Sequence, residues 1–153
     1  MKPEPRDDIL LIGVGNTLRE DDGVGILLLH RLKKFYSTPL NAIELTEPDI
    51  SLTRDIAAYP NLLVIDALNE SIDDPYALLP LESKAVTSPG GFTSHLFSWG
   101  EILYIAGKVF DRVPKAQILG ISASHFGVGE RISAACEANA DKAFKFLIRY
   151  CSK

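Results

Sequence analysis

The run Gly13-Val-Gly-Asn-Thr-Leu-Arg-Glu-Asp-Asp-Gly-Val-Gly25 constrains this chain more than any other stretch. It follows a short apolar segment, Ile9 to Ile12, that reads as a buried strand. It opens into an apolar-periodic segment, Val24 to Tyr36, that reads as a helix. A glycine-rich turn between strand and helix usually cradles phosphate, because the N–H groups and dipole of a helix N-terminus favour anions. Here the turn ends in Glu20, Asp21 and Asp22. Three carboxylates repel a phosphate and suit a cation, so the turn reads as the mouth of a metal-seeking site.

The rest of the chain alternates in the same way. Ala42 to Thr46 reads as a strand with Glu44 facing solvent, Pro48-Asp49 as a turn, and Ser51 to Tyr59 as a short helix. Asn61 to Ile65 is a third, wholly apolar strand closed by Asp66. Tyr76 to Leu81 is a further short strand that Pro75 and Pro80 mark as an edge. Thr87 to Ser94, with Pro89-Gly90-Gly91, is a loop. Leu96 to Phe110 reads as a helix, Lys115 to Ser122 as the last strand, and Arg131 to Tyr150 as a long closing helix. Strands separated by helices imply βαβ units and a mostly parallel sheet covered on both faces. With 153 residues and no internal repeat or linker, residues 1–153 form one domain large enough to bury a core unaided.

Charge and cysteine usage exclude several classes. Sixteen Lys and Arg against twenty Asp and Glu leave a formal charge of −4, which gives no support for binding nucleic acid through its phosphates. The two cysteines, Cys136 and Cys151, fall in one helix about 22 Å apart at ~1.5 Å per residue, so they neither pair nor share a metal. Met1 to Asp8 is no signal peptide, and no apolar run approaches the ~20 residues of a membrane span. A cytoplasmic protein is expected, and nothing in the sequence demands more than a monomer.

In open α/β sheets ligands settle outside the carboxyl ends of the strands. The turn with Asp21 and Asp22, the strand-ending Asp66, and His95 at the entry to the Leu96 helix all fall there. Two carboxylates and an imidazole from separate loops suit a divalent ion with open coordination positions. Each also has a plain reading: Asp21 and Asp22 cap a helix and offset its dipole, Asp66 caps a turn before Asn69, and His95 hydrogen-bonds beside a helix start. Their meeting at one end of the sheet favours the ion. His30 is read as a surface residue, and His125, after the last strand, is placed to reach the same rim.

The glycine-rich run resembles the signature of the hydrogenase maturation endopeptidases. Val64-Ile65-Asp66-Ala67 and Thr93-Ser94-His95 match that family's other two landmarks in order and at similar spacing, and the likeness runs from Ile9 to about Tyr150. The resemblance implies a three-layer α/β/α sandwich around a five-stranded, mostly parallel twisted sheet with one antiparallel strand, for which Tyr76 to Leu81 is the candidate. It implies a peptidase that removes the C-terminal extension of the nickel–iron hydrogenase large-subunit precursor after nickel insertion. It implies also that Asp22, Asp66 and His95 contact the metal, with nickel supplied by the precursor. The first of these positions is Glu or Asp among relatives, so Asp22 fits. Ser122-Ala-Ser-His125 departs from the Pro- and Glu-containing segment that relatives carry after the last strand.

Serine, cysteine and zinc protease patterns are absent: no Cys or Ser stands in a nucleophile setting and there is no His-Glu-x-x-His helix. Two other functions compete. One is a maturation chaperone that senses the metallated large subunit without cutting it. The other is a Rossmann-type oxidoreductase with Glu44 or Glu47 on a ribose. It is opposed by Leu18, standing where the third fingerprint glycine belongs, and by the carboxylates that follow.

Overall fold

A computed structural model describes residues 2–69, 72–86 and 97–153. Five strands form one sheet: β1 (Ile9–Val14), β2 (Ala42–Leu45), β3 (Asn61–Leu68), β4 (Tyr76–Leu81) and β5 (Lys115–Ser122), in the order β2-β1-β3-β5-β4. The first three and β5 run parallel, and β4 lies antiparallel to β5 at the edge. The helices are α1 (Val24–Phe35), α2 (Thr53–Ala57), α3 (Trp99–Phe110) and α4 (Ala134–Cys151), with a 3₁₀ turn over Glu20–Gly23 ahead of α1. This is the expected three-layer sandwich, and the odd strand is the one that the prolines mark. Pro80 pairs with Gln117 on one side of an edge strand, where its missing N–H disturbs no second neighbour.

Alternation along the central strands divides the core into two. Ile9, Leu11, Leu63, Ile65, Leu119 and Ile121 pack on the α1 and α4 side. Leu10, Ile12, Val14, Leu62 and Val64 pack with Trp99, Ile102 and Leu103 of α3 and Ile56 of α2 on the other. The chain steps from β1 to β2 in one direction and from β2 to β3 in the other. Because such crossovers are right-handed, the connecting helices fall on opposite faces. The reversal leaves a crevice outside the carboxyl ends of β1 and β3, where open α/β sheets take their ligands.

Several boundaries differ from the sequence reading for identifiable reasons. β3 runs three residues past Ile65, because β5 continues to pair with it through Asp66↔Gly120, Ala67↔Ile121 and Leu68↔Ser122. The closing helix starts at Ala134 rather than Arg131, since Ser133 is its N-cap and its Oγ accepts the Cys136 N–H at 3.2 Å. α3 likewise starts at Trp99 behind the cap Ser98. The expected loop Thr87 to Ser94 and the helix start at Leu96 lie outside the described residues. Both cysteines fall in α4 and are buried and unpaired. Among the described residues, no helix is long and apolar enough to cross a membrane.

Candidate active site

The turn between β1 and α1 is built around two glycines. Gly15 has φ +145°, and a Cβ there would stand 1.9 Å from the Asp22 carbonyl oxygen, so no side chain fits. At Gly25 a Cβ would meet the carbonyl oxygens of Ile65 at 2.3 Å and Val14 at 2.6 Å. Glycine there lets the start of α1 press against the ends of β1 and β3. The turn is therefore folded back tightly, bringing Glu20, Asp21 and Asp22 to the crevice between these strands.

The three consecutive carboxylates do not act together, which corrects the reading of the turn as one cation-seeking mouth. Asp21 is 0% exposed and points away from the crevice. Its Oδ1 accepts the Ser133 N–H at 2.6 Å. Its Oδ2 accepts the Ser133 hydroxyl at 2.9 Å, the His125 N–H at 3.0 Å and the Ser124 N–H at 3.2 Å. Burial pushes its pKa up, but these donors outweigh burial and hold the carboxyl below its ordinary value. Glu20 is turned the same way. At φ 50° it accepts the Gly127 N–H on Oε2 at 3.1 Å, and its own N–H donates to the Gly129 carbonyl at 2.8 Å. Both acids fasten the segment after β5 and neither faces the crevice.

Asp22 remains there. Its Oδ2 accepts the Asn16 N–H at 2.8 Å, and its backbone rests on Gly15. Asp66 sits on the facing strand, in register with Gly120 and with the parity of Leu62 and Val64, so it belongs to the α2–α3 side of the sheet. Its Oδ1 accepts the Ala67 N–H at 2.7 Å. Burial pushes its pKa up; the Ala67 bond opposes this, and the Asp22 charge adds to it, leaving the carboxyl at about 7. Two acids, one from the turn after β1 and one from β3, thus stand closely enough to repel. Asp66 changes protonation near neutrality, as groups in reactive clefts commonly do.

His95, the third residue singled out in the sequence, lies outside the described residues. Among the described residues no group of three or more His, Cys, Asp or Glu is arranged to hold a metal ion. His30 is at the surface, 2.5 Å from Glu44, which also takes Lys33 at 2.9 Å. His125 meets the turn at Asp21 through its backbone, while its exposed ring stands 2.9 Å from the Ser124 hydroxyl and 3.7 Å from Asp21. Sequence reasoning did not find Ser133. Its place immediately before Ala134, at the head of the apolar-periodic segment, was the available signal, that of a helix N-cap.

The turn is poorly suited to a pyrophosphate. The N–H groups that would cradle it are already used: Gly15 donates to the Leu45 carbonyl, Asn16 to Asp22, and Leu18 to the Asn16 side chain. A cleft of about 720 Å3 between α1 and α4 is lined by Glu20, Arg31, Arg131 and Glu137 but by neither Asp22 nor Asp66. It lies apart from the paired acids.

No family model and no curated protein sequence matches the chain. Solved structures do. The hydrogenase maturating endopeptidase HybD from E. coli superposes with a TM-score of 0.70 at 21% identity, over 93% of this chain and 90% of that one. The [NiFe] hydrogenase maturation protease HybD from Thermococcus kodakarensis gives 0.68 at 20%, over 94% and 99%. The hydrogenase 2 maturation peptidase from Thaumarchaeota archaeon SCGC_AB-539-E09 gives 0.66 at 19%, over 94% and 97%. At these identities the superpositions establish architecture: the chain has the α/β fold of the hydrogenase maturation peptidases.

Proposed function

We propose that this protein is a hydrogenase maturation endopeptidase, which cleaves a C-terminal extension from the large-subunit precursor of a nickel–iron hydrogenase. The observation that carries this reading is the pairing of Asp22 with Asp66 across the crevice of a sheet that such peptidases share. Nothing in the turn recommends nucleotide chemistry, and the acids offer hard oxygen donors that suit a divalent ion.

Nickel enters as part of the substrate. Asp22, Asp66 and His95 complete the coordination of an ion that the precursor's thiolates already hold, and the ion polarises the scissile carbonyl or acidifies a bound water. A carboxylate at the ion, Asp22 or Asp66, takes the proton of the attacking water and returns it to the departing amine. The water oxygen bonds the carbonyl carbon, the C–N bond breaks, and the new amine carries the proton away. Without metallated substrate, the two acids repel each other and no electrophile is present. Exposed apolar side chains on the turn after β1 and on the segment after β5, Leu18 at 58% and Val128 at 94%, supply contact area for a folded partner.

The test is mass spectrometry of a nickel-loaded precursor incubated with the protein. A C-terminal peptide is released by the wild type and not by Asp22→Ala, Asp66→Ala or His95→Ala. Full cleavage by Asp66→Ala overturns the mechanism. Tight binding of the precursor with its mass unchanged identifies a chaperone instead.

A further inference from the structure

The mechanism above leaves the most deeply buried acid of the turn unused. Asp21 is adjacent in sequence to Asp22, yet its carboxylate points into the segment that joins β5 to α4, more than a hundred residues away. Four donors meet it there: the Ser124, His125 and Ser133 N–H groups and the Ser133 hydroxyl. The backbone repeats the connection, because the Asp21 N–H donates to the His125 carbonyl at 2.9 Å and the Gly129 N–H to the Leu18 carbonyl at 2.9 Å. Below it, the Cys136 thiol is closed off at 1% exposure.

We infer that Asp21 is a positioning residue: by anchoring the turn to the segment 124–133, it fixes the direction in which Asp22 faces Asp66. The turn is held locally, where Asn16 holds the Asp22 side chain and Gly15 abuts its carbonyl. It is held across the fold by Glu20, through Gly127 and Gly129, and by Asp21, the residue next to Asp22, whose buried side chain cannot swing without abandoning four donors. A buried carboxylate so placed resists displacement, since unsatisfied buried N–H groups carry the full desolvation penalty. Asp21 and Asp22 are consecutive, so rigidity at the first limits the backbone freedom of the second. The same anchor joins Asp22 to the loop that displays Val128 at the surface, so a partner that shifts this loop also shifts the acid.

Asp21→Asn tests the idea with little change of shape. In either orientation of the amide its NH2 faces a donor, the Ser133 N–H at the Oδ1 place or three donors at the Oδ2 place, and the charge is lost, so the anchor is weakened. The readout specific to positioning is hydrogen exchange at the Asn16 amide, which is protected by the Asp22 carboxylate. Exchange there should rise at least tenfold, while the Ile12 and Val64 amides of the central strands keep their protection relative to global unfolding. Exchange at Asn16 that is unchanged, or that rises only in step with the central strands, overturns the inference. Ser133→Ala removes one of the four donors, the hydroxyl on Asp21, together with the cap on the Cys136 N–H, and should raise Asn16 exchange by a few-fold beyond any change at the central strands. It decides the matter if Asp21→Asn does not fold. Because the link to catalysis rests on the proposed function, processing is measured separately: kcat falls at least tenfold with KM within twofold. A wild type that cleaves nothing defeats the functional reading, whereas the exchange result judges the positioning role by itself.

Discussion

The raised pKa of Asp66 makes a stability prediction that needs no substrate. The ordinary aspartate value is 3.8, and the folded protein holds this group at about 7, chiefly through burial and further through the Asp22 charge. The folded state therefore keeps a proton that the unfolded state releases, and stability falls as pH rises through this window. The Asp66 penalty is nil below about pH 4, grows by up to ~1.4 kcal/mol per pH unit, and levels off above pH 7. Over the whole range, a shift from 3.8 to about 7 corresponds to about 4 kcal/mol. Asp66→Asn keeps the shape and the acceptor for the Ala67 N–H but never ionises. Urea unfolding of both proteins at each pH from 4 to 9 isolates the effect of Asp66 together with its coupling to Asp22, since the other titrating groups are common to the pair. The variant should gain on the wild type by roughly 4 kcal/mol between pH 4 and 9, most of it below pH 7.5. At roughly 2–4 °C per kcal/mol for a domain of this size, the melting temperatures should diverge by about 10 °C. A difference that stays constant within about 0.5 kcal/mol across the range refutes the reasoning, because Asp66 would then ionise as an ordinary surface acid.

Asp22→Asn removes the charge that opposes ionisation of Asp66 and retains the acceptor for the Asn16 N–H, so the Asp66 carboxyl carbon should titrate at a lower pH in the variant's NMR spectrum. An unmoved titration would mean the two acids do not sense one another. Gly15→Ala should destabilise the protein by more than about 2 kcal/mol in urea unfolding, because φ +145° is closed to alanine and its Cβ would collide with the Asp22 carbonyl. A near-neutral result would mean the turn adapts at no cost.

The order of strands and helices was legible along the chain because each element carries its own period. Tyr76–Leu81 and Lys115–Ser122 appear in the structure with the limits read from sequence, and Pro80 marked the edge strand through the chemistry of one ring. Asp66 and the neighbours Asp21 and Asp22 could be chosen as candidates because the carboxyl ends of parallel strands are where loops converge; only the family resemblance preferred Asp22 to Asp21. Boundaries were less legible where a partner strand decided them. β3 absorbs Asp66 to Leu68 because β5 is long enough to pair with them, and no local property of those residues says so.

Residue identity by itself determined that a glycine-bearing turn would bring acids to the head of the first helix, since only glycine tolerates the backbone at position 15 and the closeness at position 25. It did not determine what each acid does. Glu20, Asp21 and Asp22 are neighbours of similar chemistry, and their directions are set by groups that the fold delivers from elsewhere. Gly127 and Ser133 draw the first two away from the crevice, across more than a hundred residues of chain, and leave Asp22 beside Asp66. A carboxylate goes where donors satisfy it, and only the tertiary structure says where those donors are.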